Sequence, residues 1–413
     1  MAAQTPTTKD QSSAPPVTSF NARLFELRKA GTIGVYADCA DANQISMTIG
    51  SEQWHIPPEI VGNTTNQQFI SAVFRNNPEL RIKRKWLSDV EPLTRSGIKR
   101  SSAIYTVLCK EIGLQIAETI VRRPWEINLP LRLDVYSDRM QAIRLCHYLT
   151  EKSPNLIIKM SFAPHEPGFL VLARDLERQG VRVNITGMFS VRQAVAAAIL
   201  VDASRASIFM GRINRGVDAA FLGEHVTLSA QRSLRHLRRK HLTKSHLIVS
   251  SVSEARSIAE IAGCDYITAP CETIRAFVEQ GQLRTVDIVN QLETDYESRL
   301  GVGDKAINEL GRERIARLYQ LETEFLEFIT ELRSRFRSES LEDPDSLFAL
   351  FDKGGFSDLF YSPRINEWPD LRSSRLPDLS SEIAKRIPLD TLFSLLAFSH
   401  FKIAEENIDA EFD

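Results

Sequence analysis

Leu156-Ile157-Ile158-Lys159-Met160-Ser161 is a short, mostly apolar run interrupted by a single cation. Short runs of this kind fit strands buried on both faces, as in parallel sheets covered by helices. A lysine at the end of such a strand ordinarily carries its ammonium out to water. If it stays inside, burial lowers its proton affinity, and the free amine becomes a nucleophile toward carbonyls.

Working outward, the chain alternates β-branched runs with amphipathic stretches, the pattern of βα units. The strand candidates are Thr32–Asp38, Ile60–Asn66, Leu129–Val135, the Lys159 run, Val181–Phe189, Ala206–Met210, His246–Ser251 and Asp265–Ala269. Helical spacing occupies Ala103–Ile120, Asp138–Leu149 and Pro167–Gln179, with Gly180 as its stop, and an Ala-rich segment follows the N-cap candidate Ser190. Eight strands within about 265 residues match a (β/α)8 barrel. A doubly wound open sheet competes, but no strand-linked Gly-rich dinucleotide fingerprint supports it.

Residues 1–19 read as a disordered Thr/Ser/Pro-rich tail, residues 20–285 as the barrel and residues 286–413 as a helical C-terminal extension. Within the extension, Glu309–Phe336 and Asp390–Glu405 carry helical patterns, whereas Asp343–Leu379 is loop-like in composition. The basic run Arg81–Lys85 and the Arg232, Arg235, Arg238, Arg239 and Lys240 group read as solvated faces.

A formal net charge of −2 excludes a global field for nucleic acid or anionic membrane, and no run of about 18 apolar residues spans a bilayer. The five cysteines, Cys39, Cys109, Cys146, Cys264 and Cys271, form no CxxC pair. Their scatter argues against a disulfide framework or zinc site and for a reducing cytoplasm. Cys39 itself reads as a small buried hydrophobe, and the eight histidines show no metal-ligand spacing.

In a barrel of this kind the strand C-termini build the active site. They carry Asp38, Asn66, Asp134, Lys159, Asn184, Thr186, Ser207, Phe209, Arg212 and Ser251. An amine that condenses with ketones, acids that move protons, and amides and hydroxyls that hold sugar hydroxyls suit Schiff-base aldol chemistry.

Val35-Tyr36-Ala37-Asp38, Thr64-Thr65-Asn66, Leu156–Lys159, Asn184-Ile185-Thr186-Gly187-Met188-Phe189-Ser190 and Ile208-Phe209-Met210-Gly211-Arg212 resemble successive signature segments of the transaldolase family. That resemblance implies a (β/α)8 transferase that passes a dihydroxyacetone unit from a ketose phosphate to an aldose acceptor. It implies no metal or organic cofactor. Lys159 would be the Schiff-base nucleophile, Asp38 the acid/base for carbon–carbon cleavage, and Thr186 a holder of the catalytic water. Asn66, Asn184 and Ser207 would contact the three-carbon unit, and Arg212 the phosphate.

The family's strand-three glutamate is matched best by Asp134, with Arg132 as the other register. Its second phosphate-binding arginine falls near Ser253, so Arg215 or Arg256 would have to reach in. The loop Phe162-Ala163-Pro164-His165 is also unfamiliar. The expected partners are small sugar or sugar-phosphate molecules, neither nucleic acid nor membrane, with a homodimer left open. The alternatives are an aldolase of the same fold that releases the three-carbon unit, and a non-catalytic sugar-phosphate-binding scaffold.

Overall fold

The computed structural model describes residues 19–49, 56–120, 125–151, 153, 155–279, 288–338, 344–361 and 382–412. Eight parallel strands close into a barrel: β1 Gly34–Asp38, β2 Ile60–Thr64, β3 Glu126–Pro130, β4 Leu156–Ser161, β5 Val183–Met188, β6 Arg205–Phe209, β7 His246–Ser250 and β8 Tyr266–Ala269. Helices alternate with the strands, among them Gln67–Asn76, Arg100–Thr119, Arg139–Thr150, Gly168–Arg178, Leu222–Arg239 and Cys271–Glu279. This is the (β/α)8 barrel expected from the strand count, with further helices toward the C-terminus. No described helix is long and apolar enough to cross a membrane.

Alternate strand residues fill the lumen in layers, because side chains on non-adjacent strands meet there. At the N-terminal end, Tyr36 on β1 donates to Glu126 on β3, and the Arg205 guanidinium of β6 bonds the same carboxylate at 3.0 Å. Arg205 also lies 4.5 Å from the Tyr266 ring centroid of β8. This layer closes the barrel floor with an ion pair and aromatic rings. The layer above it, toward the strand C-termini, is polar and unlike a core.

The third strand lies three residues earlier than the sequence places it. Glu126 and Asn128 both face the lumen, so the alternation that marks a half-buried strand is inverted in polarity there. Pro130 has no N–H to extend the ladder, and the chain turns through a 3-10 segment at Leu133–Val135.

The loop reading of Asp343–Leu379 is also corrected in part. Pro344–Lys353 is helical, with Leu347 and Phe351 buried one turn apart, and Ser357–Leu359 forms a 3-10 turn. Residues 362–381 lie outside the described residues, as does nearly all of the expected N-terminal tail.

Two basic groups read as solvated are partly engaged. Arg232 donates to Leu292 O at 2.7 Å, Arg235 to Gly263 O at 2.6 Å, and Arg238 pairs with Asp265 at 2.8 Å. Arg84 lies 4.6 Å from the ring centroid of Phe412 at the opposite end of the sequence.

The helix Leu389–Asp409 crosses the C-terminal end of the barrel. Ser394 donates to Gly187 O just inside the end of β5 (2.8 Å), and Asp390 accepts from Ser190 (2.6 Å). Phe401 packs its edge on Phe209 at the end of β6, with centroids 6.4 Å apart. Glu405 accepts from Leu133 N beyond β3 (3.0 Å), and Asp409 receives both ends of the Arg132 guanidinium (2.7 and 2.6 Å). Gly216 permits this approach, since a Cβ there would stand 2.5 Å from the Phe393 ring. The helix therefore roofs the face toward which Lys159 lies.

Candidate active site

All six residues of β4 are buried, so Lys159 does not reach out to water. Its Nζ donates to the Thr65 carbonyl just beyond β2 at 2.8 Å. Burial lowers its pKa, the charge of Asp38 opposes that shift, and Arg212 adds to it.

Asp38, the last residue of β1, is held by the Thr64 hydroxyl at 2.8 Å. That hydroxyl also lies 2.6 Å from Thr268 Oγ1 on β8. Burial raises the Asp38 pKa, while Lys159, the Thr64 hydrogen bond and Arg212 lower it. An amine that favours losing its proton thus shares a low-dielectric lumen with an acid that favours keeping one. That pairing is suited to proton transfer at neutral pH.

Beside the lysine runs a chain of amides. Asn184 on β5 is in register with Lys159 and donates to Asn128 Oδ1 at 3.0 Å. Ser207 donates to Asn184 Oδ1 at 2.8 Å, and Asn128 donates onward to the Asn63 carbonyl at 3.0 Å. These bonds fix which way each amide points. One rung higher, Thr186 is opposite Ser161, and its buried hydroxyl has no hydrogen-bond partner. It is a polar group aimed at a polar neighbourhood.

Arg212 and Arg215 lie on the helix Met210–Val217 after β6, three residues apart and so on one face. The Arg212 guanidinium is 5.0 Å from the Phe209 ring centroid and 5.9 Å from that of Phe401. Burial brings its pKa down to about 10, the Arg215 charge adds to this, and Asp38 opposes it. Arg215 approaches Ser251 at 3.3 Å and Ser253 at 3.5 Å beyond β7. Ser251 holds a left-handed φ of 62°, which turns the loop toward that arginine. Arg256 does not reach in, because it pairs with exposed Glu254. Arg212 is near enough to Lys159 to lower its proton affinity, and Arg212 with Arg215 beside it forms a pair of guanidiniums whose chemistry suits an anion.

Other expected residues are placed elsewhere. Asp134 lies on the turn after β3, bound to Arg132 at 2.8 Å and Lys99 at 3.4 Å, and it does not face the lumen. Arg132, the other register, is committed to Asp409. The strand-three residue in register with Lys159 is Pro130, so no carboxylate stands there. Asn66 is half-buried and uses its Oδ1 to cap the helix Gln67–Asn76 through Phe69 N at 3.0 Å. Phe209 is a buried wall residue that contacts Phe189 and Phe401.

Sequence reasoning missed Thr64, Asn128, Thr268 and Phe401. Asn128 could have been found only by placing β3 correctly, and Phe401 only by knowing where the last helix docks. Among the described residues, no group of three or more His, Cys, Asp or Glu side chains could hold a metal.

The family model for transaldolase/fructose-6-phosphate aldolase matches residues 35–320, well over half of the chain. The chain belongs to that family. Among its relatives, a probable transaldolase of Sulfurihydrogenibium sp. (strain YO3AOP1) is 31% identical over 148 residues, covering 35% of this chain and 63% of that protein. A probable transaldolase of Carboxydothermus hydrogenoformans is 25% identical over 166 residues, covering 39% and 72%. A transaldolase of Protochlamydia amoebophila is 26% identical over 184 residues, covering 42% and 56%. The chain thus spans a little under two thirds of the first relative's length. The family match covers all eight strands of the barrel except Gly34, the first residue of β1, and stops before the roofing helix Leu389–Asp409.

Proposed function

We propose that the protein is a Schiff-base transferase that moves a dihydroxyacetone unit from a ketose or ketose-phosphate donor to an aldehyde acceptor. The reading rests on one observation above the rest: a buried Lys159 whose proton affinity is coupled to that of Asp38 at the barrel mouth.

In this mechanism the neutral Lys159 amine attacks the ketose carbonyl carbon, and the carbinolamine loses water to give an iminium. Asp38 takes the proton from the hydroxyl on the far carbon of the bond to be broken, the carbon that becomes the aldehyde. The carbon–carbon bond then cleaves, the aldehyde leaves, and its electron pair stays on the enamine. An acceptor aldehyde enters, the enamine carbon attacks it, and Asp38 returns the proton. Water adds to the new iminium and frees the lysine. Thr186 is suited to hold that water, while Asn184, Asn128 and Ser207 are suited to the hydroxyls of the three-carbon unit. Arg212 and Arg215 would take the donor phosphate, with Arg215 standing where the strand-seven loop carries serine.

Release of the unit, as in an aldolase, differs only in whether the enamine is protonated before an acceptor arrives. The helix Leu389–Asp409, with Phe401 over Phe209, favours transfer because it keeps bulk water from the enamine. Borohydride reduction with fructose 6-phosphate as donor, followed by peptide mass analysis, tests the assignment. The expected result is a reduced adduct on Lys159, and its absence with every ketose donor tried would rule out both transfer and release.

A further inference from the structure

Cys39 directly follows Asp38, and Cys271 opens the helix Cys271–Glu279 after β8. β1 and β8 are neighbours, with Ala37 in register with Ala269, so each cysteine stands two residues beyond a paired position. Neighbouring strands run about 4.8 Å apart. That spacing at the paired positions is of the order of the roughly 4.4–6.8 Å between Cα atoms that a disulfide needs.

Each thiol is close enough to the other to move its proton affinity. Cys39 Sγ accepts from Asp41 N at 3.3 Å and donates to Gln44 Oε1 at 3.1 Å. The Cys271 contact lowers the Cys39 pKa, burial opposes it, and the Asp41 backbone adds to the lowering, whereas Cys271 is pushed up by the same contact. The thiol that gives up its proton more readily thus neighbours one that holds its own more tightly. Cys39 lines a cavity of about 600 Å³ shared with Asn43, Phe69 and Asn76, and is 6% exposed. The other three cysteines differ: Cys109, Cys146 and Cys264 are fully enclosed, and burial pushes each thiol up.

We propose that Cys39 and Cys271 are a reversible redox modification site, converted by a peroxide to a disulfide that ties the β1 loop to the helix after β8. The Cys39 thiolate attacks one peroxide oxygen, the O–O bond breaks and hydroxide leaves, giving a sulfenic acid. The Cys271 sulfur then attacks the Cys39 sulfur. The S–O bond breaks, the hydroxyl leaves with the Cys271 proton as water, and two electrons have passed from the thiols to the peroxide. The new bond pulls Sγ away from Asp41 and Gln44. Gln44 in turn holds Glu272 at 2.7 Å, so the change falls on the segment that directly follows Asp38.

The full-length protein is treated with hydrogen peroxide near neutral pH, blocked with N-ethylmaleimide under denaturing conditions, digested and weighed. The expected product is one cross-linked species joining the Cys39 and Cys271 peptides, two hydrogens lighter than their sum. It should be lost on treatment with dithiothreitol, with Cys109, Cys146 and Cys264 alkylated throughout. Recovery of both Cys39 and Cys271 as alkylated thiols, or of Cys39 as sulfinic acid beside alkylated Cys271, would overturn the proposal. In Cys271→Ser the sulfenic acid has no resolving partner, so dimedone labelling of Cys39 should rise severalfold over the native chain. Equal labelling in the two proteins would count against Cys271 as the partner. Neither readout depends on the aldol reaction.

Discussion

Lys159 on β4 and Asp38 at the end of β1 shift each other's proton affinity across the barrel mouth, each partly offsetting what burial does to the other. Replacing Asp38 by Asn removes the one charge that holds the Lys159 pKa up. Its pKa should fall further, and the pH at which the amine becomes trappable should move downward. Turnover should drop by about 10²- to 10⁴-fold for loss of the general base. The comparison requires the pH profile of borohydride trapping beside kcat. An unshifted profile would mean that the two groups are not coupled.

Arg215 is expected to report on the donor's phosphate. In Arg215→Ala, KM for fructose 6-phosphate should rise by about 10- to 100-fold, the scale of one lost hydrogen bond to a charged group. KM for an unphosphorylated ketose such as dihydroxyacetone should stay within about twofold. A parallel rise for both donors would show that the arginine shapes the loop rather than the anion site.

Glu405 makes stability fall as pH rises. Burial pushes its carboxyl up to about 8 from a usual 4.5. Between those values the folded protein holds a proton that the unfolded chain has lost, so the contribution is fully present below about 4.5 and is lost as pH rises through about 8. Glu405→Gln stays neutral and can still accept from Leu133 N. The melting temperature of the variant should therefore lose this part of its pH dependence and exceed that of the parent above pH 8. Parallel Tm curves for the two proteins across that window would contradict the assignment.

Asp134 separates the reading by sequence from the reading by structure. It pairs with Arg132 and Lys99 outside the lumen. Asp134→Asn should leave kcat within about twofold, because a group that touches neither substrate nor nucleophile contributes no transition-state interaction. A hundredfold loss would return Asp134 to the reaction.

The contrast between β4 and β3 shows what the sequence could reveal. Leu156–Ser161 was legible because a strand covered on both faces is apolar almost throughout. Its one exception, Lys159, therefore stood out. Glu126–Pro130 hid its identity by placing Glu126 and Asn128 inward and ending in a proline, so the more apolar Leu129–Val135 drew the assignment. The helix Leu389–Asp409 was visible in its periodicity, but periodicity shows which residues are buried and not what buries them. Its place over Phe209 and Arg212, and the position of Arg215 beside Ser253, follow from tertiary packing.

The central claim is that the Lys159 amine bonds covalently to a ketose. Incubation with fructose 6-phosphate, borohydride reduction and peptide mapping should place one reduced sugar-derived adduct on Lys159 in the native protein and none in Lys159→Arg. An unmodified Lys159 peptide, or an arginine variant that keeps full turnover, would contradict the account.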